Sequence, residues 1–124
     1  MAWEIPGFSF TRPAAGDLSA AQYTFVTVPD SAGRVTTAGA GVNSLGIQQN
    51  APAAIDRGVT IVADGISKMK AGAAITIGAK LMSDDSGRGI AATSGNSVLA
   101  IALSAATAAN QIIPVLLVKT PVLA

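Results

Sequence analysis

The sequence predicts an all-β domain. The expected architecture is a small sandwich or barrel built from two pseudo-symmetric repeats of about 54 residues, with an extended N-terminal arm. Three observations predict it. Short runs rich in Val, Ile, Thr and aromatics alternate with turn signals at intervals of roughly 8–12 residues, the pattern of sandwiches and barrels. The turn Asp30-Ser31-Ala32-Gly33-Arg34 returns as Asp84-Asp85-Ser86-Gly87-Arg88, 54 positions later. The same offset carries Leu45-Gly46-Ile47 onto Leu99-Ala100-Ile101, and Val59-Thr60-Ile61-Val62 onto Ile113-Pro114-Val115-Leu116. Before the turns the offset drifts by two, placing Gly16 on Gly72 and Tyr23-Thr24-Phe25-Val26 on Ala79-Lys80-Leu81-Met82. The repeats then span about 16–65 and 72–119. Two copies are too few for a solenoid, so the halves are expected to share one domain, 21–124.

Residues 1–20 read as an arm. Trp3, Ile5, Phe8 and Phe10 stand among Pro6, Gly7 and Pro13, and the prolines disfavour helix or central strand. Three of the chain's five aromatics lie in this stretch. Such side chains either tuck back onto their own core or anchor on another subunit, where aromatics give large contact area at little entropic cost. Trp3, Ile5, Phe8, Phe10 and Arg12 are therefore the candidate contacts with a partner.

Tyr23 to Val28 is a strand, Pro29 to Gly33 a turn and Arg34 to Thr37 the returning strand. Ala38 to Gly41 connects to a strand over Leu45 to Gln49. Asn50 to Ala54 is a loop or helical turn. Val59 to Ala63 alternates as a half-buried strand does. Asp64-Gly65 signals a tight hairpin leading into Ile66 to Met69. In the second half, Ala79 to Ser83 pairs through the Asp84 to Gly87 turn with Gly89 to Ala92. Val98 to Leu103 places Leu99, Ile101 and Leu103 on one face. Ser104 to Asn110 reads as a short helix. Ile112 to Val118 reads as a strand buried on both faces, with Pro114 at an edge or bulge.

Composition limits the chemistry. Half the residues are hydrophobic and 12% are charged, against roughly 25% in ordinary domains. So bland a surface favours a chain that partners cover. The chain has neither His nor Cys, which removes His-based and thiol nucleophilic catalysis, disulfides and thiolate metal sites. The adjacent carboxylates Asp84 and Asp85 sit in a turn without the spaced oxygens of a calcium loop. Gly39-Ala40-Gly41 lacks the Lys-Ser/Thr of a phosphate loop. No metal or cofactor is expected. The net charge of +1 is scattered, with no nucleic-acid patch. No run of about 18 unbroken apolar residues exists, so no membrane span is expected, and the N-terminus has no signal-peptide pattern. Arg34 and Arg88 follow the two turns; they are expected to pair with Asp30 and Asp85, and are secondary candidates for contact with a partner.

The order of these motifs resembles a known family. A strand, an Asp-Ser-x-Gly-Arg turn, the run Leu45 to Ala53 and Val59 to Val62 followed by Gly65-Ile66-Ser67-Lys68 are similar to the small capsid cement (decoration) proteins of tailed bacteriophages. Ala71 to Gly78, Ser83 to Arg88 and Val98 to Leu103 continue the likeness, which covers about 20–118. The resemblance implies a non-enzymatic protein on the exterior of the virion, made in the host cytoplasm. It implies two partners, the major capsid protein and copies of itself in a homotrimer. The alternative is a β-rich binding module of a phage tail or cell-surface structure.

Overall fold

The computed structural model describes residues 5–118. In chain order the strands are β1 (Ile5–Pro6), β2 (Ser9–Pro13), β3 (Phe25–Val26), β4 (Gly46–Gln48), β5 (Gly58–Val62), β6 (Gly65–Lys70), β7 (Lys80–Ser83), β8 (Gly89–Ala91), β9 (Ala100–Ala102) and β10 (Ile112–Leu117). The described residues contain no helix. One sheet has the order β1-β6-β10-β9-β7-β8 and the other β2-β5-β4-β3.

The two halves repeat one topology. The order β2-β5-β4-β3 recurs as β6-β10-β9-β7. The registers recur too: Ile47 opposite Val62 matches Ile101 opposite Leu116, each 54 positions on. Both halves carry the same parallel bridge, Ala14 to Val35 and Ala71 to Gly89, which curls the hairpin back against the end of the first strand. In both turns the leading aspartate accepts two backbone N–H groups through Oδ1: Ala32 and Arg34 on Asp30, Ser86 and Arg88 on Asp84. Such side-chain-to-backbone bonds are why Asp leads turns. Ladder register also corrects the drift expected before the turns. Phe25 faces Ile47 as Lys80 faces Ile101, so Phe25 corresponds to Lys80, not to Leu81. Tyr23 then falls on Gly78, and both have left-handed backbone, at φ 64° and 84°.

Two cores form. The larger joins the sheets, with Phe25, Ile47 and Val62 from the four-stranded sheet and Met69, Leu81, Ile113, Val115 and Leu117 from the six-stranded one. The smaller lies on the far side of the four-stranded sheet. There Val26, Val59 and Ile61 pack on Ala14, Leu18, Ala21 and Val35. Strand alternation explains the division, because neighbouring residues of β5 point to opposite faces and each face has its own cover.

Four local expectations change. Asp64-Gly65 does not close a hairpin, because β5 is already flanked by β2 and β4 and offers β6 no free edge. Instead the chain turns at Gly65 (φ 85°) and crosses to the other sheet. Ser104 to Asn110 is not helical. Ala106 exchanges backbone bonds of 2.9 and 3.0 Å with Ile75, and Asn110 adopts left-handed φ. In β9 the core takes Ala100 and Ala102, while Ile101 is half-buried, because Leu81, Ile113 and Val115 already fill that interior. Pro114 lies in the internal strand β10. Its carbonyl accepts from Leu103 N–H at 3.1 Å, so its missing donor faces the side of β9 just past the paired residues Ala100–Ala102.

Candidate functional site

The stretch read as an arm is largely built into the sheets. Ile5 lies opposite Ile66 and Pro6 opposite Gly65; Ser9 to Pro13 lie opposite Val62 to Gly58. Gly7 N–H donates to Asp64 O and Ala63 N–H to Phe8 O, at 3.0 and 2.9 Å, and these bridge the gap. Residues 5–13 thus run as one antiparallel ribbon beside 58–66, from the edge of one sheet to the edge of the other. Edge positions suit this Pro-containing segment, since an edge strand needs fewer ladder donors.

The candidate residues divide along that ribbon. Ile5 and Phe8 are 64% and 60% exposed. Phe10 is half-buried on the smaller core, and its ring lies 5.7 Å from that of Phe8, tilted by 31°. Arg12 donates from Nε and Nη2 to the carbonyl of Gly33, at 3.2 and 2.8 Å, and so clamps the first turn within its own chain. Trp3 lies outside the described residues.

Arg34 and Arg88 do not pair as expected. The Arg34 fork donates to both oxygens of Asp56, at 2.7 and 3.1 Å, because Asp30 is engaged by the turn backbone. That hydrogen bond with Arg34 is the main cause holding the Asp56 carboxyl below its ordinary pKa. Arg88 donates to Asp84 at 3.0 Å, not to Asp85, and to Asn110 at 3.1 Å. Asp56 and Asn110 are equivalent positions, both with left-handed backbone. The two arginines tie each turn to the loop before the last strand of its half.

The sequence reading did not single out a second apolar feature. Ile5, Ile66, Leu116 and Ile101 are successive cross-strand partners in the six-stranded sheet, and partners in register share a face. Leu116 is 38% exposed, and Ile66 and Ile101 are half-buried. The row lies on the sheet's outer side, opposite Val115 and Leu117. Alternation reveals such a row but not whether anything covers it. The seam between the halves also holds a groove of about 460 Å³ lined by Asp17, Leu18, Ala20, Ala21, Thr37, Asp85 and Ser86.

A family model described as phage cement protein matches residues 10–118. Among solved structures, the chain is similar to the N base of the head fiber gp8.5 in bacteriophage phi29. The identity is 16% and the TM-score 0.74, over 92% of this chain and 98% of that one. That likeness is one of fold. No curated protein sequence matches the chain.

Proposed function

The chain belongs to the phage cement protein family, and on that premise we propose that it binds the outer surface of a phage head and reinforces the shell. Its role is structural and associated with the capsid. The finer reading is that it is made in the host cytoplasm, joins the assembled head from outside, touches the major capsid protein, and acts as a homotrimer without catalysis. The family match across residues 10–118 carries this reading.

The geometry supports one part of the contact. Phe8 and Ile5 present apolar side chains on a ribbon whose backbone is held by both sheets. A rigid aromatic on a fixed backbone loses little entropy on docking, which is the character of interface anchors. Phe10 and Arg12 hold the ribbon in place, and Phe8 makes the contact.

The test uses expanded empty shells that lack the chain. Wild type is expected to decorate their exterior, visible by cryo-electron microscopy, and to raise the temperature at which they rupture. Phe8→Ala is expected to weaken binding at least tenfold, about 1.4 kcal/mol. Shells that take up no protein would overturn the function. Uptake that is normal with Phe8→Ala would move the contact elsewhere.

A further inference from the structure

We propose that the outer edge of β2, at Ser9 and Thr11, is where an extended segment of the major capsid protein joins the four-stranded sheet as an added strand. This rests on the reading that the ribbon docks on the capsid, and names the backbone contact by which it does.

The observation is an open run of backbone groups. Ala63 N–H donates to Phe8 O at 2.9 Å and Ala14 N–H to Arg57 O at 2.8 Å, so the even-numbered residues of this stretch bond to β5 and its extension. Alternation along an antiparallel strand then turns the backbone polar groups of Ser9, Thr11 and Pro13 outward. The chain closes only the last of these. Val35 N–H donates to Pro13 O at 2.9 Å, beside the parallel bridge between Ala14 and Val35. Pro13 has no N–H with which to continue that pairing toward Gly33, and Arg12 takes the Gly33 carbonyl instead. Ser9 and Thr11 are exposed, and among the described residues no backbone group pairs with them on the outward side.

The duplicate of this strand shows how such an edge is completed. β6 corresponds to β2, with Ile66 opposite Leu116 as Ser9 is opposite Val62. Ile66 pairs with Ile5 of β1, antiparallel, and Lys70 N–H donates to Tyr23 O at 2.8 Å. The edges at β3 and β8 are also engaged: Ala38 N–H donates to Phe25 O and Gly72 N–H to Gly89 O, at 3.0 and 2.8 Å. Proteins guard open edges with Lys, Pro or bulges. Ser9 and Thr11 are neither, so β2 suits strand addition.

Two features select the occupant. Phe8 and Phe10 stand on one side of the strand, and Phe8 is 60% exposed. A strand added beside β2 sets alternate side chains next to these rings, so a segment apolar at every second position covers Phe8 while it gains main-chain bonds. A second copy's β2 fits badly. In the register that pairs Ser9 of each copy with Thr11 of the other, Phe8 faces Arg12, whose guanidinium is held by Gly33 O. The occupant is therefore the capsid surface that receives Phe8.

Binding of the full chain to expanded empty shells tests this, with wild type, Thr11→Pro and Thr11→Val. Proline at an edge position whose N–H faces outward costs no internal bond, so Thr11→Pro is expected to melt near wild type and to bind at least tenfold more weakly. Thr11→Val keeps the backbone donor and is expected to bind as wild type; equal weakening would place the contact in the side chain and overturn the inference. Hydrogen exchange at the Ser9 and Thr11 amides of wild type decides the matter if Thr11→Pro misfolds. Fast exchange in the free chain and slowing on shells are expected. Wild type that binds while Thr11→Pro binds equally, or while these amides exchange unchanged, overturns the added strand and leaves the function standing. Slow exchange in the free chain overturns it as well, whether sedimentation shows a dimer paired through β2 or a monomer whose own terminal residues cover the edge. Shells that take up no wild type overturn the function and this inference together.

Discussion

Ile47 and Ile101 occupy the same place in the two halves, yet their truncations should differ severalfold. Ile47 is 0% exposed in the core that joins the sheets. Ile101 is half-buried on the outer face. Ile→Ala in a packed core costs about 2–5 kcal/mol, comprising lost transfer energy and the cavity left behind. Taking about 3 kcal/mol for Ile47, and a urea slope of about 2 kcal/mol per molar for a domain of this size, the midpoint should fall by about 1.5 M. Ile101→Ala removes side-chain surface already partly in water and leaves no closed cavity. Its cost should be about 1 kcal/mol, a shift of about 0.5 M. The assay is equilibrium urea unfolding followed by circular dichroism in the far and the near ultraviolet, at protein concentrations low enough to disfavour association. Agreement of the two probes checks two-state behaviour. Equal midpoint shifts for the two variants would refute the reasoning, because they would mean that both rows are equally enclosed within one chain.

Two further predictions use the same internal comparison. Gly33 and Gly87 have left-handed backbone, at φ 79° and 77°. A Cβ at Gly87 would lie 2.6 Å from Thr37 Cγ2 and 2.9 Å from Phe25 O, whereas at Gly33 it would meet the flexible end of Arg12. Gly33→Ala should therefore cost about 1–2 kcal/mol from backbone strain, with a smaller addition for displacing the Arg12 side chain, and Gly87→Ala, which meets backbone, should cost more, measured by urea unfolding; a smaller cost at Gly87 would count against docking of the second turn on the first half. Arg34 lowers the folded pKa of Asp56, so the stabilisation from this pair is present above the unfolded carboxylate pKa and fades as pH falls through the lower folded value. Asp56→Asn, which copies Asn110, should flatten the melting temperature below about pH 4 relative to wild type, and an unchanged acid limb would refute it.

Much of the fold was legible in the chain itself. Two Asp…Gly-Arg turns at one offset, with apolar runs placed identically around them, determined an all-β chain with a repeated plan. They did so because turn chemistry and strand alternation are local properties. Lack of His and Cys limited the chemistry in the same direct way. What faces what was not local. Asp64-Gly65 has the residues of a hairpin, but β5 had no edge left to pair. Ser104 to Asn110 has helix-forming alanines, but Ala106 was taken by Ile75. Arg34 lay nearest Asp30 in sequence, yet the turn backbone had already claimed that carboxylate. Phe8 and Phe10 read alike as neighbours in an arm, and only the ribbon's packing separated the exposed ring from the half-buried one. The equivalent pairs Val62–Ile47 and Leu116–Ile101 are alike, and the sequence offset set Phe25 on Leu81 rather than Lys80, so sequence could not distinguish the buried face from the open one. Tertiary structure decided it, because the second half packs over Val62, Ile47 and Phe25, whereas Leu116 stays 38% exposed among the described residues.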